Sequence, residues 1–104
     1  MAKSNPVTML VSYFPKPGKE KELLAIVEKH WPTLKRVGLV TKTAAWIWRA
    51  TDIRTRKSHI VELFQWKDDK ASDIAHQTPE VMAVWETMGP IMENLQLLQV
   101  EKVR

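Results

Sequence analysis

The sequence predicts a single α+β domain in which helices cover one face of an antiparallel sheet. Its 104 residues are enough for one domain with one core. Segments with the two-residue alternation of strands occur between segments with the period of an amphipathic helix. Prolines, glycines and polar stretches separate these segments. We therefore expect residues 1–104 to form one domain with no linker.

The first two elements are a strand and a long helix. Residues 7–14, VTMLVSYF, are β-branched and aromatic and lie between two prolines, which predicts a strand. Apolar residues then recur at helical spacing from about Lys19 to Arg36: Leu23, Leu24, Val27, Trp31 and Leu34. Pro32 falls inside this pattern and has no N–H, so we expect the helix to kink or end near Trp31. Gly38 marks the following stop.

A hairpin is predicted in the middle of the chain. Residues 43–50, TAAWIWRA, alternate in the manner of a strand, and residues 58–66, SHIVELFQW, form the next one. The link TDIRTRK between them is short and polar. Two strands joined in this way pair antiparallel.

Two helices and a last strand complete the chain. A short helix is predicted near Asp68–His76, followed by a helix that Thr78 caps and Pro79 opens. The second helix has an apolar stripe: Val81, Val84, Trp85, Met88 and Met92. Residues 95–103 form the last strand, with a bulge where Leu97 and Leu98 break the alternation. The order β-α-β-β-α-β is that of the ferredoxin-like fold.

This order leaves one face of the sheet without a cover inside the chain. Trp46 and Trp48, or the residues that alternate with them, would then be exposed. A large exposed apolar surface indicates a partner. We therefore expect a homodimer in which two sheets meet face to face and build a barrel.

Composition and charge exclude several classes of function. The chain has no cysteine, which rules out disulfides and thiolate chemistry and suits the cytoplasm. No apolar run is long enough for a membrane span or a signal peptide, so we expect a cytoplasmic protein without a membrane partner. The formal charge of +4 is mild. Three glycines provide no phosphate-binding loop, and the third strand lacks the aromatic motif of RNA-binding sheets, so no nucleic-acid partner is expected.

The stretch VELFQWKDDKASDIAHQTPEVMAVWETM resembles the antibiotic biosynthesis monooxygenase (ABM) family of dimeric α/β barrels. The similarity rests on FQW at the end of the third strand, AH after the short helix, the TP that follows and Trp85. The early PKPGKEKEL is similar to the first turn and helix of that family. The resemblance implies the dimeric barrel fold. It leaves open the activity, because the family includes cofactor-independent oxygenases, haem-degrading members, isomerase-like members and proteins without an assigned activity.

Two family positions differ here. Quinone-forming members have an asparagine four residues before the tryptophan that ends the third strand; this sequence keeps Trp66 and has Glu62 at the earlier position. Haem-degrading members have an iron-binding histidine on the later helix, and that position falls near Trp85. The resemblance therefore implies no haem, and we expect no cofactor.

Glu62 is the first candidate catalytic residue. Alternation places it on one strand face with Phe64 and Trp66. In an apolar pocket its carboxylate would act as a general base. The alternative is a solvated glutamate near a strand edge, or one paired with Arg49 on the neighbouring strand.

His76 is the second candidate base, because imidazole exchanges protons near neutral pH. It matches a histidine found after the short helix in several family members. Alternatively, it caps helix carbonyls or points to water. His30 and His59 lack this support and are predicted to be surface residues. Asp73 and His76 have a spacing that a metal site can use, but further ligands are missing, so no metal site is expected.

Large side chains from several elements form the candidate ligand-binding wall: Trp46, Trp48, Phe64, Trp66, Trp85 and Met88. Aromatic rings and flexible methionines suit a flat apolar ligand. The alternative is that they fill a core and a dimer interface.

The function predicted from these residues is cofactor-independent oxygenation of a small aromatic or enolisable compound in an apolar pocket. Glu62 or His76 would remove a proton, and Arg49 would stabilise the resulting anion. Two alternatives stay open: a non-catalytic module that binds a small ligand or an assembly partner, and an isomerase-like enzyme that uses the base without oxygen.

Overall fold

The computed structural model describes residues 5–104 and contains the predicted elements in the predicted order. The elements are β1 (Val7–Pro15), α1 (Glu20–Arg36), β2 (Trp46–Thr51), β3 (Ser58–Trp66), α2 (Ala71–Ala75), α3 (Pro79–Met88), a 3-10 turn (Gly89–Ile91) and β4 (Met92–Val100). Among the described residues, no helix is both long enough and apolar enough to cross a membrane.

The four strands form one sheet in the order β2-β3-β1-β4. Each neighbouring pair is antiparallel, including the predicted β2–β3 hairpin. In the register, Val11 of β1 and Ile47 of β2 both pair with Glu62 of β3. Glu62 therefore lies in the interior of the sheet, with a strand on each side.

The turn between β2 and β3 is built by the side chain of Asp52. Its Oδ1 accepts the backbone N–H groups of Arg54 at 2.8 Å and Thr55 at 3.1 Å. These two hydrogen bonds lower the pKa of Asp52. Arg56 then takes a positive φ of 64° and directs the chain into β3.

Helix α1 does not end at its proline, so of the two expected effects of Pro32, a kink or an end near Trp31, the end is wrong. The helix continues to Arg36, and Pro32 lies on its exposed side. There, water can bind the carbonyl group that a proline leaves without an N–H partner. Thr33 Oγ1 also donates to the carbonyl oxygen of Lys29 at 2.7 Å, which adds a bond at the same turn. The helix stops where predicted, because Gly38 takes a φ of 76°.

The core lies between one face of the sheet and the helices. Alternate residues of β3 are buried on this helix-facing side: Ile60, Glu62, Phe64 and Trp66. The opposite side of α1 from Pro32 supplies the other wall: Leu23, Val27, His30, Thr33 and Leu34. An exposed ion pair between Arg36 and Glu80, 2.9 Å long, joins α1 to α3.

The other face of the sheet is open, as the sequence predicted. Trp46 and Trp48 are 59% and 45% exposed, and their rings stack 5.8 Å apart. Leu98 of β4 lies on the same face, because it pairs with Leu10, which in turn pairs with Leu63 opposite Trp46. No segment of residues 5–104 covers these side chains.

The last strand differs from the prediction in its bounds and its regularity. It begins at Met92 and ends at Val100, and Leu97 and Leu98 pair in regular register with Val11 and Leu10. The expected bulge at this pair is therefore wrong; the register shifts between Phe14 and Pro15 instead. Both faces of β4 carry leucines, which hides the alternation in the sequence.

Candidate active site

A cavity of about 230 Å³ lies on the helix-facing side of the sheet. Its walls are mainly aromatic and methionine side chains: Phe64, Trp66, Trp85, Met9, Met88 and Met92. Four residues bring polar groups to it: Tyr13, His30, Ser72 and His76. Leu95 and Leu97 of β4 also line it and are partly exposed, so the cavity opens to solvent along this strand.

A buried carboxylate lies behind the cavity wall. Glu62 is 0% exposed, and its Oε1 accepts a hydrogen bond from Tyr13 at 2.6 Å. His30 Nδ1 lies 2.9 Å from the same oxygen. Strand alternation puts Tyr13 and Glu62 on the helix-facing side, and α1 places His30 above them.

Trp85 completes a chain of hydrogen bonds and determines the tautomer of His30. The indole Nε1 of Trp85 lies 2.9 Å from His30 Nε2. An indole N–H can only donate, so His30 Nε2 is an acceptor without a proton. The proton of the neutral imidazole is therefore on Nδ1, which donates to Glu62 Oε1. The chain runs from Trp85 through His30 to Glu62.

The environment of Tyr13 keeps its phenol protonated. Burial, the charge of Glu62 and the hydrogen bond to that carboxylate all raise the pKa of Tyr13 well above its usual value. Tyr13 is 3% exposed, so solvent does not compete for its hydroxyl group. It therefore serves as a fixed donor to Glu62.

The second oxygen of Glu62 has no partner. Glu62 Oε2 is buried and makes no hydrogen bond within residues 5–104. Burying a polar atom without a hydrogen bond is unfavourable, and such atoms are rare in folded proteins. A fold built only for stability would place an apolar side chain here, so this carboxylate indicates a functional constraint.

His76 lies at the exposed side of the cavity. Its Nδ1 donates to the carbonyl oxygen of Ser72 at 2.7 Å, so its Nε2 is the free acceptor when the ring is neutral. The ring lies 4.8 Å from that of Trp85. Trp85 is thus between two histidines, His76 outside and His30 inside.

The structure brings most of the sequence-predicted site residues to this cavity. His76, Phe64, Trp66, Trp85 and Met88 line it, and Glu62 lies directly behind it, held by two residues of the lining.

Three predicted site residues lie elsewhere. Trp46 and Trp48 are on the open face of the sheet, because they alternate with Ile47, which faces the helices. Arg49 is directed at α1, where its Nε donates to Glu20 at 2.6 Å. The alternatives for Glu62, a solvated side chain or a pair with Arg49, are therefore wrong.

Sequence reasoning missed Tyr13 and His30. His30 was predicted to be a surface residue, but it is 3% exposed. The signal was the helical spacing itself: Leu23, Val27, His30 and Leu34 are separated by four, three and four residues. A histidine that occupies a core position of an amphipathic helix needs a buried partner. Within residues 5–104, no three metal-binding side chains come together.

The sheet order and the helices on one face define the class of this protein, a ferredoxin-like α+β domain with a cavity between sheet and helices. Structures of that class resemble it over nearly the whole chain. A variant of SnoaB, a cofactor-independent oxygenase from Streptomyces nogalater, is 13% identical, with a TM-score of 0.75 and coverage of 97% of this chain and 96% of SnoaB.

Two further structures support the same fold. A candidate antibiotic biosynthesis monooxygenase from Bacteroides thetaiotaomicron is 18% identical, with a TM-score of 0.72 and coverage of 96% and 91% of the two chains. Another from Bordetella bronchiseptica is 15% identical, with a TM-score of 0.71 and coverage of 96% and 99%. This protein thus has the fold of the ABM proteins, as the resemblance implied. No family model and no curated protein sequence matches the chain.

Titration of Tyr13 tests the buried network. The folded state holds the phenol protonated, so the stabilisation is complete below a pH of about 10 and declines above it, where the unfolded chain releases the proton. The slope approaches about 1.4 kcal/mol per pH unit above that pH, so the free energy of unfolding should fall by about 1.4 kcal/mol in total between pH 9 and 11. Urea unfolding between pH 9 and 11 measures this slope, and Tyr13→Phe should lose it.

Absorbance provides a direct check, because Tyr13 is the only tyrosine of the chain. We expect no tyrosinate signal while the protein remains folded. A tyrosinate signal that appears near pH 10 in the folded protein would contradict the buried contact with Glu62.

Proposed function

We propose that this protein is a cofactor-independent oxygenase for a small aromatic or enolisable compound that binds in the cavity. The observation that carries the proposal is the pair formed by Glu62 and His30. Glu62 is hydrogen-bonded to Nδ1 of His30. His30 also lines the cavity, so its other ring nitrogen, Nε2, is the one available for chemistry. The similarity in fold to a cofactor-independent oxygenase supports the same activity.

His30 is the base in this proposal, and Glu62 acts through it. A carboxylate bonded to Nδ1–H fixes the tautomer in which Nε2 accepts a proton, and it stabilises the imidazolium that forms. The substrate loses a proton to Nε2 and becomes an electron-rich anion beside the new positive charge. Glu62 is a positioning residue, because it does not line the cavity.

The cavity walls favour a flat apolar ligand of one or two rings. The volume of about 230 Å³ exceeds the roughly 150 Å³ cavity that holds benzene and lies below the usual range of about 300–1,000 Å³ for larger ligands. Phe64, Trp66 and Trp85 surround the ring and exclude water. The anion then reacts with dioxygen: a CH₂ group becomes a carbonyl with one oxygen atom, and the other atom leaves as water.

Isomerisation is the second candidate reaction, because two histidines line the cavity. His30 would remove a proton from one carbon, and His76, with Nε2 protonated, would donate a proton to another carbon of the anion. Oxygen consumption separates the two reactions, because isomerisation uses none.

We also propose that the protein works as a homodimer joined through the open face of the sheet. Trp46, Trp48 and Leu98 expose large apolar surfaces there. Removing apolar surface from water contributes about 25 cal/mol per Å². Association of this face with a second copy is therefore favourable. The cavity lies on the opposite side of the sheet, so the dimer leaves its entrance along β4 free.

Oxygen uptake with a panel of phenols and 1,3-diketones tests the base. We expect His30→Gln to lower kcat by about 10²–10⁴-fold, because a positioned base contributes that much. Glu62→Gln should lower kcat with little change in KM, since it acts on the base and not on the bound ligand.

The controls separate chemistry from folding. Glu28 is exposed on α1 and does not line the cavity, so Glu28→Gln is matched to Glu62→Gln and should keep full activity. Each variant must retain the circular dichroism spectrum of the wild type. If His30→Gln retains full oxygen uptake and His76→Gln abolishes it, the assignment of the base is wrong. Ligand binding without turnover of any compound would favour a binding module.

Analytical ultracentrifugation tests the dimer. We expect the wild type to sediment at twice its chain mass of 12.1 kDa at micromolar concentration. Trp46→Glu places a charge on the open face and should weaken association by at least about tenfold. Ile53 is also apolar and exposed but lies in the hairpin turn, so Ile53→Glu is the matched control and should stay dimeric. A monomeric wild type would contradict the interface.

A further inference from the structure

We propose that Trp85 closes the active site and selects its ligands. Its indole N–H is bonded to His30 Nε2, which is the acceptor that the substrate needs. This inference rests on the proposed role of His30 as the base. Only a ligand that donates a hydrogen bond to His30 Nε2 replaces the bond that Trp85 makes there. Trp85 is therefore a specificity-determining residue of the site.

The two partners of His30 exclude each other. Nε2 of a neutral imidazole has one lone pair, and Trp85 Nε1 lies 2.9 Å from it. The other nitrogen, Nδ1, is bonded to Glu62 at 2.9 Å. In the structure as it stands, His30 has no free acceptor for a substrate proton. Catalysis by His30 thus requires the indole to leave.

The position of Trp85 allows this movement. The side chain is half-buried on α3, and its outer side meets the exposed ring of His76 at 4.8 Å. When the indole turns outward, water can accept its N–H. After this movement the N–H of Trp85 still has a partner. The free-energy cost comes only from His30 Nε2, which loses its hydrogen bond.

The exchange discriminates between ligands by their donor groups. A ligand hydroxyl group replaces one hydrogen bond of His30 with another, so the hydrogen-bond free energy of His30 changes little. A methyl ether of the same shape leaves Nε2 without a partner in an apolar cavity. The loss of such a bond lowers affinity by about tenfold or more. The cavity should therefore prefer a hydroxyarene to its methyl ether.

Two-dimensional ¹H–¹⁵N NMR of the full-length protein tests this proposal with 1-naphthol and 1-methoxynaphthalene as probes. The chain has five tryptophans, and the Trp85→Phe variant identifies the indole signal that belongs to Trp85. We expect 1-naphthol to shift this signal toward that of a hydrated indole. The methyl ether should bind about tenfold or more weakly.

Trp85→Phe provides a second measurement. Phenylalanine keeps a ring beside His76 but has no N–H, so a ligand no longer displaces a bond. We expect both probes to bind about two- to tenfold more tightly to this variant than to the wild type. Trp31→Phe removes an indole of α1 that does not line the cavity and should leave both affinities unchanged.

The outcomes separate this inference from the proposed function. Binding of 1-naphthol with an unmoved Trp85 signal would overturn it, as would a Trp85→Phe variant that binds neither probe more tightly. Failure of both proteins to bind 1-naphthol would overturn it as well. A shifted indole without oxygen uptake for any compound would support the role of Trp85 and contradict only the oxygenase proposal.

Discussion

The burial of Glu62 is the constraint on which the rest of the site depends. A carboxylate that solvent cannot reach needs hydrogen-bond donors from the protein, and here Tyr13 and His30 supply them. Tyr13 comes from the central strand and His30 from the long helix, so one side chain links the sheet to α1. The bond to Glu62 also orients His30, and through it Trp85 of α3. A single buried charge thus connects three elements and determines the polarity of one end of the cavity.

The two faces of the sheet have different roles. The helix-facing side carries the buried carboxylate and the cavity, whereas the open face carries stacked tryptophans and the hydrogen bonds of Gln65 to Thr8 and Thr41. Alternation in β2 and β3 separates these sets, because Ile47 and Glu62 face the helices while Trp46 and Leu63 face outward. Substitutions that affect association and substitutions that affect chemistry therefore fall on neighbouring residues of the same strand.

Periodicity predicted the elements, their order and the open face, because these features depend on local spacing. It also placed Glu62, Phe64 and Trp66 on one side of β3. The partners of Glu62 were not predictable in the same way. Tyr13 and His30 lie 49 and 32 residues from it in the chain, and only the register of β1 and the packing of α1 bring them together. The position of Arg49 was not predictable for the same reason: its strand neighbour is Ile60, and its side chain bonds Glu20 of α1. The end of the helix at Pro32 was predicted wrongly, because the effect of a proline depends on its solvent exposure, which the sequence does not give.

The tautomer of His30 is the most direct test of this account. Nitrogen-15 NMR of the histidine side chains at neutral pH distinguishes a protonated nitrogen from an acceptor nitrogen in each ring. We expect His30 to be neutral, with its proton on Nδ1 and with Nε2 as a hydrogen-bond acceptor. A proton on Nε2 of the neutral ring would contradict it, because neither the bond from Trp85 nor the orientation by Glu62 is compatible with that form.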